Sequence, residues 1–328
     1  MRSYYLRWLL VLLLVFSCQL KADESEGMAL LEKMTAATQH LNYEGVFTYQ
    51  SGNKLQAIRI YHRSDARGEM ERLVALNGAA REVIRSNDMV TCITPDKKQV
   101  NISRHPVGGG FPSDLPRRLS SAQSYYHLEV GDIERIADHT AQELVIKAVD
   151  NYRYGYRLWM DTDTHLLLKS ELIDEQGDVL ESFSFSSLNV GVYIPEHKLQ
   201  SQLQGKISTW DRSEHESSAN DLQDRMSDWQ IDWLPQGFDL VAAKIRSRVG
   251  KSTNVEQRVF SDGLSSVSIF IEKNHAGHNH LKGTSHVGAI HAYGAVMAAH
   301  FVTVVGEVPS RTVEKIGQSI KYTVATQP

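Results

Sequence analysis

The chain has 328 residues, of which 41% are hydrophobic and 23% are charged, and its formal net charge is −4 at pH 7. This length is sufficient for two domains that each bury a core. The mean hydropathy of −0.33 excludes a polytopic membrane protein. The slight acidity provides no electrostatic attraction to DNA or RNA, so we expect no nucleic acid among the partners.

The N-terminus carries the pattern of a secretory signal. Positively charged residues precede a short apolar run over residues 8–16, and a polar stretch follows that ends at Ala22. The apolar run is shorter than the roughly 20 residues that cross a bilayer as a helix. We therefore expect an exported protein whose signal peptide, residues 1–22, is removed after Ala22. A lipoprotein signal that uses Cys18 is the alternative.

The chain from residue 23 to residue 199 reads as one helix followed by many strands. Apolar side chains recur at three- and four-residue spacing in residues 27–41, which predicts an amphipathic helix. The period then changes to two, and Ser51-Gly52-Asn53 predicts a hairpin turn. In one later strand-like run, "MVTCITP", Cys92 is expected to be a small buried residue. The pattern favours a half-open, strongly curved antiparallel β-barrel with helices packed inside it.

Three further segments complete the predicted organisation. Residues 103–126 are rich in glycine and proline, which favours either a mobile flap at the barrel mouth or a plain surface connection. Residues 200–228 are polar and predict an interdomain linker. In residues 229–328 we expect a small α+β domain with three or four strands covered by a terminal helix, for which Ser310 is the N-cap. The predicted fold class is therefore α+β.

The sequence contains none of the common catalytic motifs. G-x-S-x-G, H-E-x-x-H, the Walker A loop and a helix-opening G-x-G-x-x-G are all missing, so we expect a binding protein without a cofactor rather than an enzyme. The histidines of "HAGHNHLKGTSH", residues 275–286, favour an exposed loop, and a Zn²⁺ or Cu²⁺ site is the alternative. Asp161 and Asp163 favour a hairpin turn, because "DTDTHLLLK" lacks the other oxygen ligands of a calcium loop.

Two groups of side chains are candidates for binding an amphiphilic ligand. Strand alternation selects eight residues for the lining of an apolar cavity, with ordinary core packing as the alternative: Phe47, Tyr49, Ile58, Ile60, Trp159, Leu168, Phe183 and Phe185. A basic group favours either solvated strand edges or a rim that binds an anionic head group: Arg81, Arg85, Arg104, Arg117 and Arg118.

Several motifs in the right order resemble the MucB/RseB family of periplasmic sigma-E regulators. "WLPQGF", "VFSDGLSSVSIFIE" and "VTVVGEVPSRTVEKIGQSI" are similar to its C-terminal domain, and "LNYEGVFTYQSG" and "REVIR" are similar to its N-terminal domain. "YRLWMDTDTHLLLKSELIDEQGDVLESFSF" also resembles the LolA/LolB lipoprotein carriers. The likeness covers nearly all of the chain that follows the predicted signal peptide.

The resemblance implies a periplasmic regulator that is not an enzyme. Such a protein binds the periplasmic domain of a membrane-spanning anti-sigma factor of the RseA/MucA type and shields it from site-one proteolysis. Its LolA/LolB-like domain is expected to sense lipopolysaccharide or the acyl chains of a mislocalised lipoprotein, and ligand binding releases the anti-sigma factor. The oligomeric state stays open, with a homodimer as one alternative. The alternative is a periplasmic lipid or lipoprotein carrier, against which the second domain argues.

Overall fold

The computed structural model describes residues 25–95, 123–211, 229–247, 254–274 and 282–323. Strands dominate these ranges and form sheets of eleven, six and two strands. The predicted signal peptide, most of the predicted flap and the segment 275–281 lie outside the described residues. Within the described ranges, no helix combines the length and the apolar character needed to cross a membrane.

The N-terminal domain is built on one sheet of eleven strands. They are β1 (Tyr43–Ser51), β2 (Lys54–Asp65), β3 (Gly68–Ala75), β4 (Glu82–Ser86), β5 (Met89–Thr94), β6 (Tyr126–Ile136), β7 (His139–Ala148), β8 (Gly155–Asp161), β9 (Leu167–Ile173), β10 (Val179–Val190) and β11 (Lys206–Asp211). Their order is β11-β5-β4-β3-β2-β1-β10-β9-β8-β7-β6, with β11 and β6 at opposite edges. The sheet is therefore open and curved, as the sequence predicts. The first hairpin turns at the predicted place, since Ser51 pairs with Lys54.

The first helix, α1, occupies residues 25–40 and packs against β6 to β9. Leu31 and Met34 are each 1% exposed, in agreement with the predicted apolar stripe. Each such side chain contributes about 1.5–3 kcal/mol through burial. Thr38 also lies on the buried face, where its hydroxyl donates a hydrogen bond to the carbonyl of Met34 at 2.9 Å. The helix is thereby fixed on the inside of the sheet.

The segment predicted as a linker, residues 200–228, differs from the prediction in its first part. Residues 206–211 form β11, which pairs with β5 and extends the sheet by one edge strand. The reason is that an edge strand can leave apolar side chains in solvent, and Ile207 is 64% exposed. The short helix α2 (Glu196–Leu199) precedes this strand and packs on β2 and β3. The boundaries proposed at residues 199 and 228 stay predictions.

The C-terminal domain contains more strands than expected. Its elements are β12 (Trp229–Ile231), β13 (Asp239–Ser247), β14 (Asn254–Ser261), β15 (Ser266–Lys273), β16 (Gly283–Val287), β17 (Ile290–Met297), β18 (His300–Gly306), α3 (Ser310–Ser319) and β19 (Ile320–Tyr322). Six of the strands form one sheet in the order β13-β14-β15-β18-β17-β16, and β12 pairs with β19. The prediction of three or four strands was therefore wrong.

The terminal helix α3 covers this sheet with a buried stripe. Val313 and Ile316 are fully buried and Ile320 lies directly after the helix, in agreement with the predicted periodicity. The predicted N-cap is displaced by one residue, because Pro309 caps the helix and makes no side-chain hydrogen bond. Its carbonyl accepts a hydrogen bond from the amide of Thr312 at 2.9 Å, so Ser310 already belongs to the first turn.

Candidate functional site

A cluster of buried hydrophobic residues contains seven of the eight side chains predicted to line a cavity. The eighth, Tyr49, is partly buried and packs against the others. The seven are each less than 5% exposed. Below, "the aromatic cluster" denotes these eight together with their buried neighbours: Phe47, Tyr49, Ile58, Ile60, Trp159, Leu168, Phe183, Phe185, Tyr43, Leu73 and Leu188. The structure brings the predicted residues together as a packed core, and their role as a lipid lining stays a prediction.

Strand register explains how the three phenylalanines meet. Phe47 on β1 lies opposite Phe185 on β10, and Tyr49 lies opposite Phe183. The ring centroids of Phe47 and Phe183 are 4.7 Å apart, and those of Phe183 and Phe185 are 5.2 Å apart. Gly45 provides room for this packing, since a Cβ atom at that position would lie 3.0 Å from the ring of Phe185 and 2.4 Å from a backbone oxygen.

A buried polar group borders the aromatic cluster. The His62 ring stacks on Tyr43 with centroids 4.6 Å apart. The Nδ1 atom of His62 lies 2.7 Å from the carbonyl oxygen of Leu41, directly after α1. Arg85 is buried and forms ion pairs with Glu69 and, at 3.5 Å, with Glu71. The protein therefore compensates the charge of Arg85 internally, which differs from the prediction that Arg85 belongs to a rim that binds head groups.

Arg81 is the other predicted head-group residue that the structure describes. It is half-buried directly before β4, and within the described ranges it makes no ion pair with a carboxylate. Burial lowers the pKa of its guanidinium. Cys92 lies nearby as a buried strand residue, in agreement with the prediction, and burial raises the pKa of its thiol. The candidates Arg104, Arg117 and Arg118 lie outside the described residues.

Asp161 forms a hairpin turn, as predicted. Its Oδ1 atom accepts hydrogen bonds from the amides of Asp163 and Thr164, both at 2.8 Å. Its Oδ2 atom lies 2.6 Å from Nδ1 of His139, a contact that the sequence did not indicate. Burial alone would raise the pKa of Asp161, but the hydrogen bonds from the two amides and from His139 outweigh it and lower the pKa.

The structure describes residues 282–286 of the histidine-rich segment. His275, His278 and His280 lie outside the described residues, and the rings of His286 and His291 lie 5.5 Å apart. In the described part of the chain, no three side chains of the metal-binding types converge. His291 instead contacts the carbonyl oxygen of Val308 at 2.9 Å through Nδ1.

The contact between the two domains is centred on Arg153, in the loop before β8. One guanidinium nitrogen donates to Asp262 of the C-terminal domain at 2.6 Å, and another donates to the carbonyl of Gln236 at 2.8 Å and to Asp150 at 3.0 Å. The side chains of Arg153 and Asp262 are both 0% exposed. The guanidinium carbon also lies 4.9 Å from the ring centroid of Tyr125. Such a fully desolvated pair is strongly directional.

The hairpin tip between β14 and β15, residues 262–265, inserts into the N-terminal domain. Leu264 at this tip is 2% exposed and belongs to the helix-side cluster. The helix-side cluster consists of Leu31, Met34, Tyr126, Leu128, Leu144, Ile146, Leu158, Met160, Leu167 and Leu264. The core under α1 is therefore completed by a residue from the other domain.

A second hairpin tip, between β16 and β17, makes another contact across the domains. Ala289 is fully buried against Tyr154 and Leu172 of the N-terminal domain. The Tyr154 hydroxyl lies 3.2 Å from Nδ1 of His291. The helix α3 adds a hydrogen bond from Thr312 to the carbonyl of Tyr152 at 2.8 Å. The described parts of the two domains are thus joined at several separate places.

Comparison with known proteins identifies the chain. The model of the MucB/RseB N-terminal domain matches residues 26–203, and the model of the MucB/RseB C-terminal domain matches residues 223–321. The chain belongs to the MucB/RseB family. This assignment confirms the resemblance drawn from the sequence motifs.

Curated relatives and a solved structure of the MucB/RseB family extend this match to whole chains. The chain is 30% identical to the sigma factor AlgU regulatory protein MucB of Pseudomonas aeruginosa, over 100% of both chains. It is 29% identical to the sigma-E factor regulatory protein RseB of Salmonella typhimurium, over 94% of both chains. It also matches the complex structure of Pseudomonas aeruginosa MucA/MucB with a TM-score of 0.72 and 28% identity, covering 92% of this chain and 100% of that chain.

The interdomain residues of this MucB/RseB-family chain were not found by sequence reasoning. Arg153 and Asp262 are separated by 109 positions. Asp262 lies in the quoted motif "VFSDGLSSVSIFIE", but nothing in that motif indicates that Arg153 is its partner. A local signal is Gly237 in "WLPQGF", whose φ of +84° favours a glycine. A Cβ atom there would lie 2.2 Å from the ring of Tyr125, so this glycine lets the loop approach the N-terminal domain.

Proposed function

We propose that this protein is a periplasmic negative regulator of the sigma-E envelope stress response. In this proposal it binds the periplasmic segment of a membrane-spanning anti-sigma factor and shields the segment from site-one proteolysis. The observation that carries the proposal is the match to the MucA/MucB complex structure, which spans both domains. The second domain docked on the sheet favours a regulator over a lipid carrier, because transport requires only the cavity of the first domain.

The proposed signal for release is a lipid, either lipopolysaccharide or the acyl chains of a mislocalised lipoprotein. The aromatic cluster supports this proposal because it gathers many buried apolar side chains in the interior of an open sheet. Each buried CH₂ group of an acyl chain contributes about 0.8 kcal/mol. Because the cluster is packed in this structure, an acyl chain must separate its side chains to enter. Lipid would then select a second conformation, as a ligand-driven switch requires.

A protease-protection assay tests the regulator proposal. The purified chain from residue 23 is incubated with the anti-sigma periplasmic segment and the activated site-one protease, with and without lipopolysaccharide. Cleavage is expected to be slow with the protein alone and to become fast once lipopolysaccharide is added. Equal cleavage rates with and without the protein would contradict the shielding function. An anti-sigma segment of scrambled sequence serves as the control for nonspecific protection.

Quenching of Trp159 fluorescence tests the lipid site directly. Trp159 is 1% exposed within the aromatic cluster, whereas Trp233 is partly buried in the C-terminal domain. A brominated acyl chain that enters the cluster quenches an adjacent indole ring. We expect quenching to be lost in a Trp159→Phe variant and retained in a Trp233→Phe variant. Equal quenching in both variants would place the acyl chain elsewhere.

Arg81 is the head-group candidate of this proposal. It is half-buried and makes no ion pair with a carboxylate of the described chain, so a phosphate could bind it. An Arg81→Gln variant is expected to bind lipopolysaccharide about tenfold more weakly at low salt. The matched control is Arg59→Gln, which removes an exposed arginine from the same sheet.

The homodimer also stays a prediction, which light scattering of the purified chain would test.

A further inference from the structure

The helix α1 connects the aromatic cluster with the contact between the domains. Leu31 and Met34 of α1 share the helix-side cluster with Leu264. At the other end of the helix, Leu41 packs against the aromatic cluster, and its carbonyl oxygen lies 2.7 Å from His62. A displacement of α1 would therefore disturb the packing of Leu264.

Asp262 links the shape of the hairpin tip to the interdomain ion pair. Its Oδ1 atom accepts hydrogen bonds from the amides of Leu264 at 2.8 Å and Ser265 at 2.7 Å, which fold the tip into a turn. Its Oδ2 atom accepts from Arg153 at 2.6 Å and from the hydroxyl of Tyr126 at 3.3 Å. One carboxylate therefore presents Leu264 and anchors the tip to the N-terminal domain.

We propose that Leu264 and the Arg153–Asp262 pair are positioning residues that couple lipid binding to the grip on the anti-sigma segment. This inference rests on the proposed function. In the docked state, Leu264 fills the core under α1, and the two domains hold the segment together. A lipid that enters the aromatic cluster displaces α1 and thereby disrupts the apolar site that Leu264 occupies. The domains then separate, and the anti-sigma segment is released.

The coupling predicts opposite effects on the two ligands. Lipid binds the undocked state and the anti-sigma segment binds the docked state, so any weakening of docking must strengthen lipid binding and cannot strengthen segment binding. A variant that is merely less well folded would instead weaken the binding of both ligands. The signs of the two changes therefore separate coupling from a structural defect.

The Leu264→Ala variant tests this coupling in the full chain. It removes most of the buried side chain at the tip while leaving Arg153 and Asp262 in place. We expect its affinity for purified lipopolysaccharide to rise about tenfold and its affinity for the anti-sigma segment to fall or stay the same. Unchanged or weaker lipopolysaccharide binding would overturn the inference.

Two further variants control for the substitution itself. Leu264→Met preserves side-chain volume and should behave like the unaltered protein. Ile245→Ala removes an apolar side chain that is 58% exposed in the same domain, and it should leave both affinities unchanged. A tenfold change in either control would show that the effect of Leu264→Ala does not come from docking.

A disulfide between the domains provides the reverse test. A Cβ atom built on Gly288 lies 4.0 Å from the Cβ atom of Ser51, within the range that disulfides span. The φ of Gly288 is +59°, which strains any other residue at this position, so mass spectrometry must first show that the disulfide has formed. The oxidised Ser51→Cys/Gly288→Cys variant is expected to keep its grip on the segment when lipopolysaccharide is added, and the reduced variant is expected to release it. Equal release by both forms would overturn the inference. Cys92 is buried and does not compete for the new thiols.

The outcome also distinguishes the inference from the function on which it rests. If the unaltered protein does not release the segment when lipopolysaccharide is added, the lipid part of the proposed function fails. If it does respond, and Leu264→Ala binds lipopolysaccharide with unchanged affinity, only the coupling through the hairpin tip fails.

Discussion

Replacing Arg153 with methionine is expected to lower the free energy of unfolding by about 3–5 kcal/mol. Both partners of the Arg153–Asp262 pair are 0% exposed, so the variant leaves a carboxylate buried without its cation. The Oδ2 atom of Asp262 then retains only the hydroxyl of Tyr126, at 3.3 Å. Methionine fills part of the vacated volume, and the loss therefore comes from the uncompensated charge rather than from a cavity.

The double variant Arg153→Met/Asp262→Asn separates charge from packing. It removes both charges, and the asparagine Oδ1 can still accept the two amide hydrogen bonds of the tip. We expect it to recover most of the lost stability, so that its free energy of unfolding is within about 2 kcal/mol of that of the unaltered protein, because a buried ion pair contributes little net stability. Asp262→Asn alone should cost less than Arg153→Met, since Arg153 keeps Asp150 as a partner.

Urea unfolding, followed by tryptophan fluorescence and circular dichroism, measures these differences. If the domains separate before they unfold, the unfolding curve is expected to show two transitions. Arg135→Met is the matched control, because Arg135 and its partner Asp138 are 76% and 82% exposed, and its unfolding midpoint should not change. The reasoning is refuted if Arg153→Met is as stable as the unaltered protein, or if the double variant is as unstable as Arg153→Met.

Three smaller predictions concern single titratable groups. Burial lowers the pKa of His291 in the folded protein. The stability that the neutral imidazole contributes is therefore complete above the unfolded pKa of about 6.5 and is lost as the pH falls below that value. Between about pH 7.5 and pH 5.5, the His291→Gln variant should lose less stability than the unaltered protein. The pKa of Asp161 is lowered in the folded protein, so its contribution is lost as the pH falls below about 3.9, and acid titration of Asp161→Asn should show a smaller loss there. Burial raises the pKa of the Cys92 thiol, so in the chain from residue 23 a thiol reagent at about pH 8 should label it slowly before urea is added and rapidly afterwards.

The features predicted correctly from the sequence depend on neighbours along the chain. The stripe of α1 follows from three- and four-residue spacing, and Leu31 and Met34 are buried as that spacing requires. The hairpin at Ser51 and the turn at Asp161 follow from residues that favour turns wherever they occur. Alternation along β1 also selected Phe47 as an interior residue, with cavity lining and core packing as alternatives, and Phe47 is 3% exposed.

The features that were missed depend on residues far apart in the chain. β11 was hidden in a polar segment because its side chains at the edge of the sheet need little burial, as Ile207 illustrates. Arg85 was expected at a solvated strand edge or in a head-group rim, because its sequence neighbours do not reveal that Glu69 and Glu71 lie beside it on β3. Six strands replaced the expected three or four because short strands such as β16 carry a weak periodic signal.

The chemistry of the interdomain contact fits a reversible joint better than a permanent one. Exposing an apolar residue at position 153 to water would cost free energy, and an interface made only of such residues would favour permanent docking. Arg153 and Asp262 instead regain hydration when they separate, and this offsets much of the free energy gained from their 2.6 Å contact. The pair therefore fixes the docked geometry while adding little to its stability. Leu264, whose burial depends on α1, therefore contributes more than the ion pair to the free energy of docking.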